Sequence, residues 1–237
     1  IAVQFIDKVL DAPETYPGFV GIIAMFAYSL QIYADFSGYT DMAIGVSKLM
    51  GFTLLENFNA PYKSVSVADF WRRWHKSLGS WLRDYLYIPL GGNQKGSIGT
   101  GVMTEVILGF LYFITGWVEL WYTYGILLVV YLLLWQFWKA FRRFAVRDLN
   151  LLITMVVGGL WHGASQNFVI WGAMNGLALV LYNYWKKISP YEKSNLWLIR
   201  AWRIFLTLSF ITFTRIWFRL PEAEQPLQFL QHVNNKP

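Results

Sequence analysis

The sequence predicts an all-α, polytopic integral membrane protein, and three observations carry that expectation. Apolar side chains make up 56% of the 237 residues and charged ones only 14%, against roughly a quarter charged in soluble domains. Several runs approach or exceed the about 20 apolar residues a helix needs to cross a bilayer. The 13 Trp and 14 Tyr supply amphipathic rings suited to the membrane–water interface.

Gly18 to Ala34 is an uncharged run slightly short of a span, extended by Phe36 beyond Asp35, and Met42 to Leu55 is a second apolar piece broken by Lys48 and Gly51. Between Asn57 and Asn93 the composition changes. Ser66-Val67-Ala68-Asp69 has capping-box spacing, and the helix expected after it sets Trp71, Trp74, His75, Leu78 and Trp81 at helical spacing with Arg72, Arg73 and Lys76 on its polar side. Such a basic, tryptophan-rich helix suits the interface plane, and Pro89-Leu90-Gly91-Gly92-Asn93 ends it in a turn. Residues 98–138 read as an extra transmembrane hairpin turning at Gly116-Trp117-Val118-Glu119, with basic flanks on the cytoplasmic side. From Leu149 to Tyr184 the apolar run is too long for one ordinary span, and Gly158, Gly159 and Gly163 break it, which predicts a broken or re-entrant pair. Leu196 to Phe218 is the last candidate span, with Arg200, Arg203, Arg215 and Arg219 near its ends. A start at Ile1 without Met reads as an internal fragment, residues 1–237, of one membrane-embedded domain.

Composition also excludes function classes. The net charge of +6 comes from Lys and Arg clustered between apolar stretches, which is loop topology and not a nucleic-acid surface. Without Cys there is no disulfide, thiolate metal site or Cys nucleophile. The three histidines, His75, His162 and His232, lack metal-ligand spacing, so no metal site is expected.

His162 lies in a stretch, Asn150 to Tyr184, without Lys, Arg, Asp or Glu. An ionisable group in such a segment marks a functional site by default, and imidazole exchanges protons near neutral pH. His75 sits among arginines expected to lower its tendency to protonate. One histidine can serve as general base on a hydroxyl while the other positions or polarises an acyl donor; the structural alternative is that His75 only bonds a headgroup or a backbone carbonyl. Asp35 and Asp41, six residues apart, would lie on different helix faces, so helix-end or turn roles are expected for them. Asn59 and Asn93 read first as turn residues.

The segments Tyr33 to Gly45, Glu56-Asn57-Phe58-Asn59-Ala60-Pro61-Tyr62, Asp69 to Leu78, Trp81 to Asn93, Asn150 to Met155 and Gly159-Leu160-Trp161-His162-Gly163-Ala164 together resemble the membrane-bound O-acyltransferase family. The likeness is greatest to its bacterial branch that acetylates alginate and peptidoglycan, and more distant to teichoic acid D-alanyl transfer. The resemblance implies a multi-helix bundle, with short interfacial and re-entrant helices, around a central tunnel. It implies His162 as the catalytic histidine and His75 as a second residue near the reaction centre. One departure is that the 98–138 hairpin stands where the family has a short basic loop; a hairpin returns the chain to its starting side, so the sidedness of the two histidines survives.

The expected activity is therefore acyl transfer, most readily of acetyl, from a cytoplasmic thioester, acetyl-CoA or an acyl carrier, as co-substrate with no bound cofactor. The acceptor would be a hydroxyl of an extracytoplasmic polysaccharide, or a partner acetyltransferase, with the protein in the bacterial cytoplasmic membrane. Arg72, Arg73 and Arg83 would attract the anionic donor, and Trp74, Trp161 and Asn59 complete the expected substrate contacts. The alternatives are a transporter or channel with a histidine proton path, and a non-catalytic scaffold for a separate transferase.

Overall fold

The computed structural model describes residues 2–92, 139–220 and 222–235, with scattered positions between 106 and 138. The described residues are helical and contain no strand. The 98–138 hairpin expected from the sequence lies essentially outside them.

A short helix, α1 (Lys8–Asp11), leads into α2 (Gly18–Leu49), a continuous helix of 32 residues. This corrects two expectations. The apolar run before Asp35 and the second piece as far as Leu49 are one helix, and Asp35 and Asp41 sit within it, exposed, not at its ends. An Asp in a helix interior costs less than about 1 kcal/mol in propensity, so the two do not interrupt the helix. α2 is long and apolar enough to cross a membrane, and among the described residues it is the one helix that meets that test.

The expected Ser66 cap forms, although Asp69 reaches back to Val65 and not to the Ser66 amide. The Asp69 amide donates to Ser66 Oγ at 3.1 Å, and Asp69 Oδ2 accepts from the Val65 amide at 3.3 Å. The single interfacial helix expected after it is instead two, α3 (Val67–Arg73) and α4 (Lys76–Leu82), because His75 adopts a left-handed backbone with φ 44° and ψ 56°. The break is held by Asn57, whose carbonyl accepts from the Lys76 amide at 3.0 Å and whose Oδ1 accepts from the Ser77 amide at 3.0 Å. The expected turn follows over residues 88–92, with Gly91 at φ 91°; Asn93 is outside the described residues.

After α5 (Lys139–Phe144), the glycine-broken run folds as a tight pair, α6 (Asn150–Leu160) and α7 (Gln166–Ile188), joined by a turn that carries His162. The glycines set the approach: a Cβ on Gly159 would fall on the Phe168 carbonyl, and one on Gly172 on the Met155 carbonyl. Asn150 fastens the start of the pair by donating from Nδ2 to the Leu90 and Val146 carbonyls, both at 3.0 Å. α8 (Trp197–Arg219) and α9 (Gln225–Asn235) complete the described chain. The largest apolar cluster joins Val9 and Leu10, Ala24 and Met25 of α2, Trp171 of α7, Ile216 and Trp217 of α8, and Phe229 of α9. A second, Phe70, Trp74 and Ile211, ties α3 to α8.

Candidate active site

The two histidines come together from elements 87 positions apart in sequence order of numbering, 75 and 162. His75 reaches the site because the left-handed turn swings its ring off the helix line, edge-on to Phe36 with centroids 4.7 Å apart. His162 is held by an aromatic cage, perpendicular to Trp171 at 5.2 Å and edge-on to Phe218 at 5.0 Å. Trp161 bridges them, its ring centroid 6.1 Å from that of His75 and 4.9 Å from that of His162.

Both imidazoles line a cavity of about 560 Å³. Its floor is supplied by Trp71, Trp74, Thr154, Met155, Gly158 and Trp171, and its edge by Arg72, Lys76 and Arg83. Arg72 and Arg83 keep exposed side chains, 73% and 62%, on the basic side of the cavity. A volume of this order lies in the range of ligand pockets. A smaller cavity of about 90 Å³ also touches both histidines and is lined by Ile32, Phe36, Phe218 and Arg215 among others.

Burial holds the His75 imidazole below its ordinary range. The direction matches the sequence expectation, but the cause is desolvation and not the neighbouring arginines. The arginines are engaged elsewhere: Arg73 Nε lies 3.0 Å from Asp69, Arg73 Nη1 donates to the Asn59 carbonyl at 3.2 Å, and Arg83 pairs with Asp84 at 2.8 Å. A neutral His75 can accept or donate one hydrogen bond at each ring nitrogen.

Of the expected substrate contacts, Arg72, Arg83 and Trp74 line the larger cavity. Arg73, Asn59 and Trp161 do not: the first two brace the turn ahead of α3, and Trp161 is 58% exposed beside the histidines. Two residues that the sequence reading did not single out as site residues line the smaller cavity. Asn175, fully buried, accepts from Trp71 Nε1 at 3.3 Å and donates to the Trp171 carbonyl at 2.9 Å. Arg215 is 5% exposed. The available signals were an amide inside a charge-free stretch and an Arg flanked by Thr214 and Ile216 with no acid near it. Among the described residues no group of three or more His, Asp or Glu could hold a metal ion.

With this geometry in place, comparison with known proteins is decisive for the family. Residues 2–143 match MBOAT, the membrane-bound O-acyltransferase family. The chain belongs to that family. The matched stretch contains His75 and ends before His162. The chain is 40% identical over 172 residues to a probable alginate O-acetylase, AlgI, of Pseudomonas putida, covering 73% of this chain and 25% of that protein. It is 34% identical over 205 residues to the peptidoglycan O-acetyltransferase of Helicobacter pylori, covering 86% and 30%. It is 28% identical over 197 residues to the teichoic acid D-alanyltransferase of Bacillus subtilis, covering 81% and 39%. The chain thus spans between a quarter and two fifths of the length of these relatives.

Proposed function

We propose that the protein containing this chain is a polytopic O-acyltransferase of the bacterial cytoplasmic membrane. It moves an acetyl group from a cytoplasmic thioester to a hydroxyl of an extracytoplasmic polysaccharide, or to a partner enzyme that modifies one. The observation that carries this reading is the convergence of His75 and His162 on one cavity that Arg72, Lys76 and Arg83 also line. The names of the relatives, which act on alginate, peptidoglycan and teichoic acid, support the polymer class of the acceptor.

The parts divide the work as follows. Arg72, Lys76 and Arg83 attract the phosphates of a coenzyme A or carrier phosphopantetheine, as flexible point charges and planar forks do. The thioester then reaches inward along the apolar floor. His162, caged by rings that fix its orientation, takes the proton of the acceptor hydroxyl. His75, kept neutral by burial, orients the acyl group through a hydrogen bond. Trp74 packs the wall, and Arg73, Asn59 and Trp161 support the loop and the histidine pair from outside the cavity.

The test is His162→Ala in the full-length protein, with expression and membrane insertion verified. General acid–base catalysis contributes about 10²- to 10⁴-fold, so acetylation of the surface polymer and thioester turnover by the purified protein should fall by that order. Undiminished turnover in an inserted variant would overturn the reading. A transporter or a scaffold would show no thioester turnover in the unmodified protein.

A further inference from the structure

Arg215 is a cation placed where a cation is costly. It lies on α8 at 5% exposure, and unpaired charge in such surroundings is destabilising by several kcal/mol in general. Among the described residues no carboxylate lies within ion-pair distance of it. Its Nη1 donates to the Ser29 carbonyl at 3.3 Å and to the Tyr62 hydroxyl at 2.6 Å, both neutral oxygens. Tyr62 remains a phenol, since burial pushes its pKa up against the opposing pull of Arg215, and its own proton is directed to the Ser29 carbonyl. The guanidinium lies over the Trp74 ring, 4.8 Å from the centroid, and over Tyr62 at 5.6 Å. Rings and neutral oxygens fix its position, and among the described residues no carboxylate neutralises its charge.

Arg215 lines the small cavity of about 90 Å³ that both histidines also line, together with Asn175, Thr214 and aromatic and aliphatic side chains. The space is large enough for a group of a few heavy atoms, and the acyl end of a thioester is such a group.

We propose that Arg215 is a catalytic residue of the acyl transfer: its guanidinium hydrogen-bonds the acyl carbonyl oxygen in the small cavity and stabilises the negative charge that oxygen gains. The proposal rests on the acyl-transfer reading above. In the step, the acceptor hydroxyl oxygen forms a bond to the thioester carbonyl carbon as His162 takes the hydroxyl proton. The carbonyl π pair moves onto oxygen, facing Arg215. The pair then re-forms the carbonyl, the carbon–sulfur bond breaks, and the thiolate receives the proton held by His162. A preorganised donor in a water-poor site is worth about 10²- to 10³-fold in kcat for such a charge.

The experiment measures acetyl-thioester turnover by purified full-length protein, unmodified and as Arg215→Gln and Arg215→Lys, alongside thermal stability. Arg215→Gln should lose about 10²-fold or more in kcat with the KM for the thioester changed little, and Arg215→Lys, which keeps the charge, should recover part of it. A second measurement covers the case in which Arg215→Gln does not fold. The affinity for a methylphosphonyl analogue of the donor, a tetrahedral anion, should exceed that for the acetyl thioester in the unmodified protein, and Arg215→Lys should narrow the gap. Unchanged kcat in folded Arg215→Gln would overturn the proposal and leave the acyl-transfer reading standing. So would equal affinity of the unmodified protein for the anion and the thioester. No turnover by the unmodified protein would overturn both.

Discussion

His75 combines two costs that a structural residue would avoid: a left-handed backbone and a desolvated imidazole. A non-glycine residue at positive φ is sparsely populated and costs on the order of 1 kcal/mol or more. The backbone cost can be separated from the chemistry. His75→Gly and His75→Ala delete the same ring contacts, but only glycine adopts this φ freely, so the Gly variant should be the more stable by about 1 kcal/mol in detergent-solubilised thermal melts while both lose turnover equally. Protonation supplies a second check. Because burial lowers the pKa of folded His75, the unfolded chain binds more protons as pH falls below about 6.5. The sign follows: stability is full above that pH and declines below it. In His75→Gln part of this acid-side decline should disappear, and an unaltered pH–stability curve would show that His75 is not desolvated. The sequence displayed both histidines plainly, since one interrupts a charge-free stretch and the other follows Arg72 and Arg73. It did not display the left-handed turn, because Trp74-His75 continues a helical spacing of apolar residues and the hydrogen bonds that break it come from Asn57, far away in the chain.

The α6–α7 pair shows why glycines were the most legible elements of this fold. Gly158, Gly159 and Gly163 announced a break in an apolar run, and the break is where His162 sits. Their second purpose, close helix contact, was invisible without the partner: Gly172 and Gly176 stand opposite Met155 and Leu152. Gly172→Ala would drive a methyl group into the Met155 backbone carbonyl, which cannot rotate away. Overpacking ordinarily costs about 1–3 kcal/mol, and a clash with backbone should reach the upper end. The expected result is a markedly lower melting temperature with turnover lost in proportion to folded protein, in contrast to Arg215→Gln, where kcat falls in folded protein. The closing lock at the other end was also hidden. Asp148 is fully buried, held by Arg147 at 2.7 Å and by the Tyr184 hydroxyl at 2.6 Å, and an Arg-Asp pair reads in sequence as an ordinary polar flank.

Membrane character was legible from composition, yet only α2 among the described helices has the length and apolarity of an evident span. Most of the others are short, and the two long ones, α7 and α8, bury polar groups along one face. On α7, Asn167, Trp171, Asn175 and Leu179 are buried while Ile170, Leu177, Leu181, Trp185 and Ile188 are exposed, so averaging along the helix hides an apolar outer face. α8 repeats the arrangement, with Arg215 inside and Trp202, Phe205, Leu206 and Phe213 outside. Polar groups turned inward and large apolar side chains turned outward are what a bilayer selects, because lipid rewards no polar surface. At 1.5 Å per residue, 23 residues extend about 34 Å, enough for a hydrocarbon core of about 30 Å. This inside-out pattern makes the spanning of α7 testable without reference to chemistry. Single cysteines at Leu181, on the outer face, and at Lys193, in the loop after α7, would be placed in full-length protein otherwise free of cysteine. In intact membranes opened to reagent on both sides, a water-soluble maleimide should label the Lys193→Cys protein readily and the Leu181→Cys protein at least tenfold more slowly, since the thiolate that reacts does not form in hydrocarbon. A photoreactive probe confined to the acyl region should label with the reverse preference. Equal maleimide labelling of the two positions would mean that the exposed face of α7 meets water or another protein, and the polytopic arrangement would have to be abandoned for this helix.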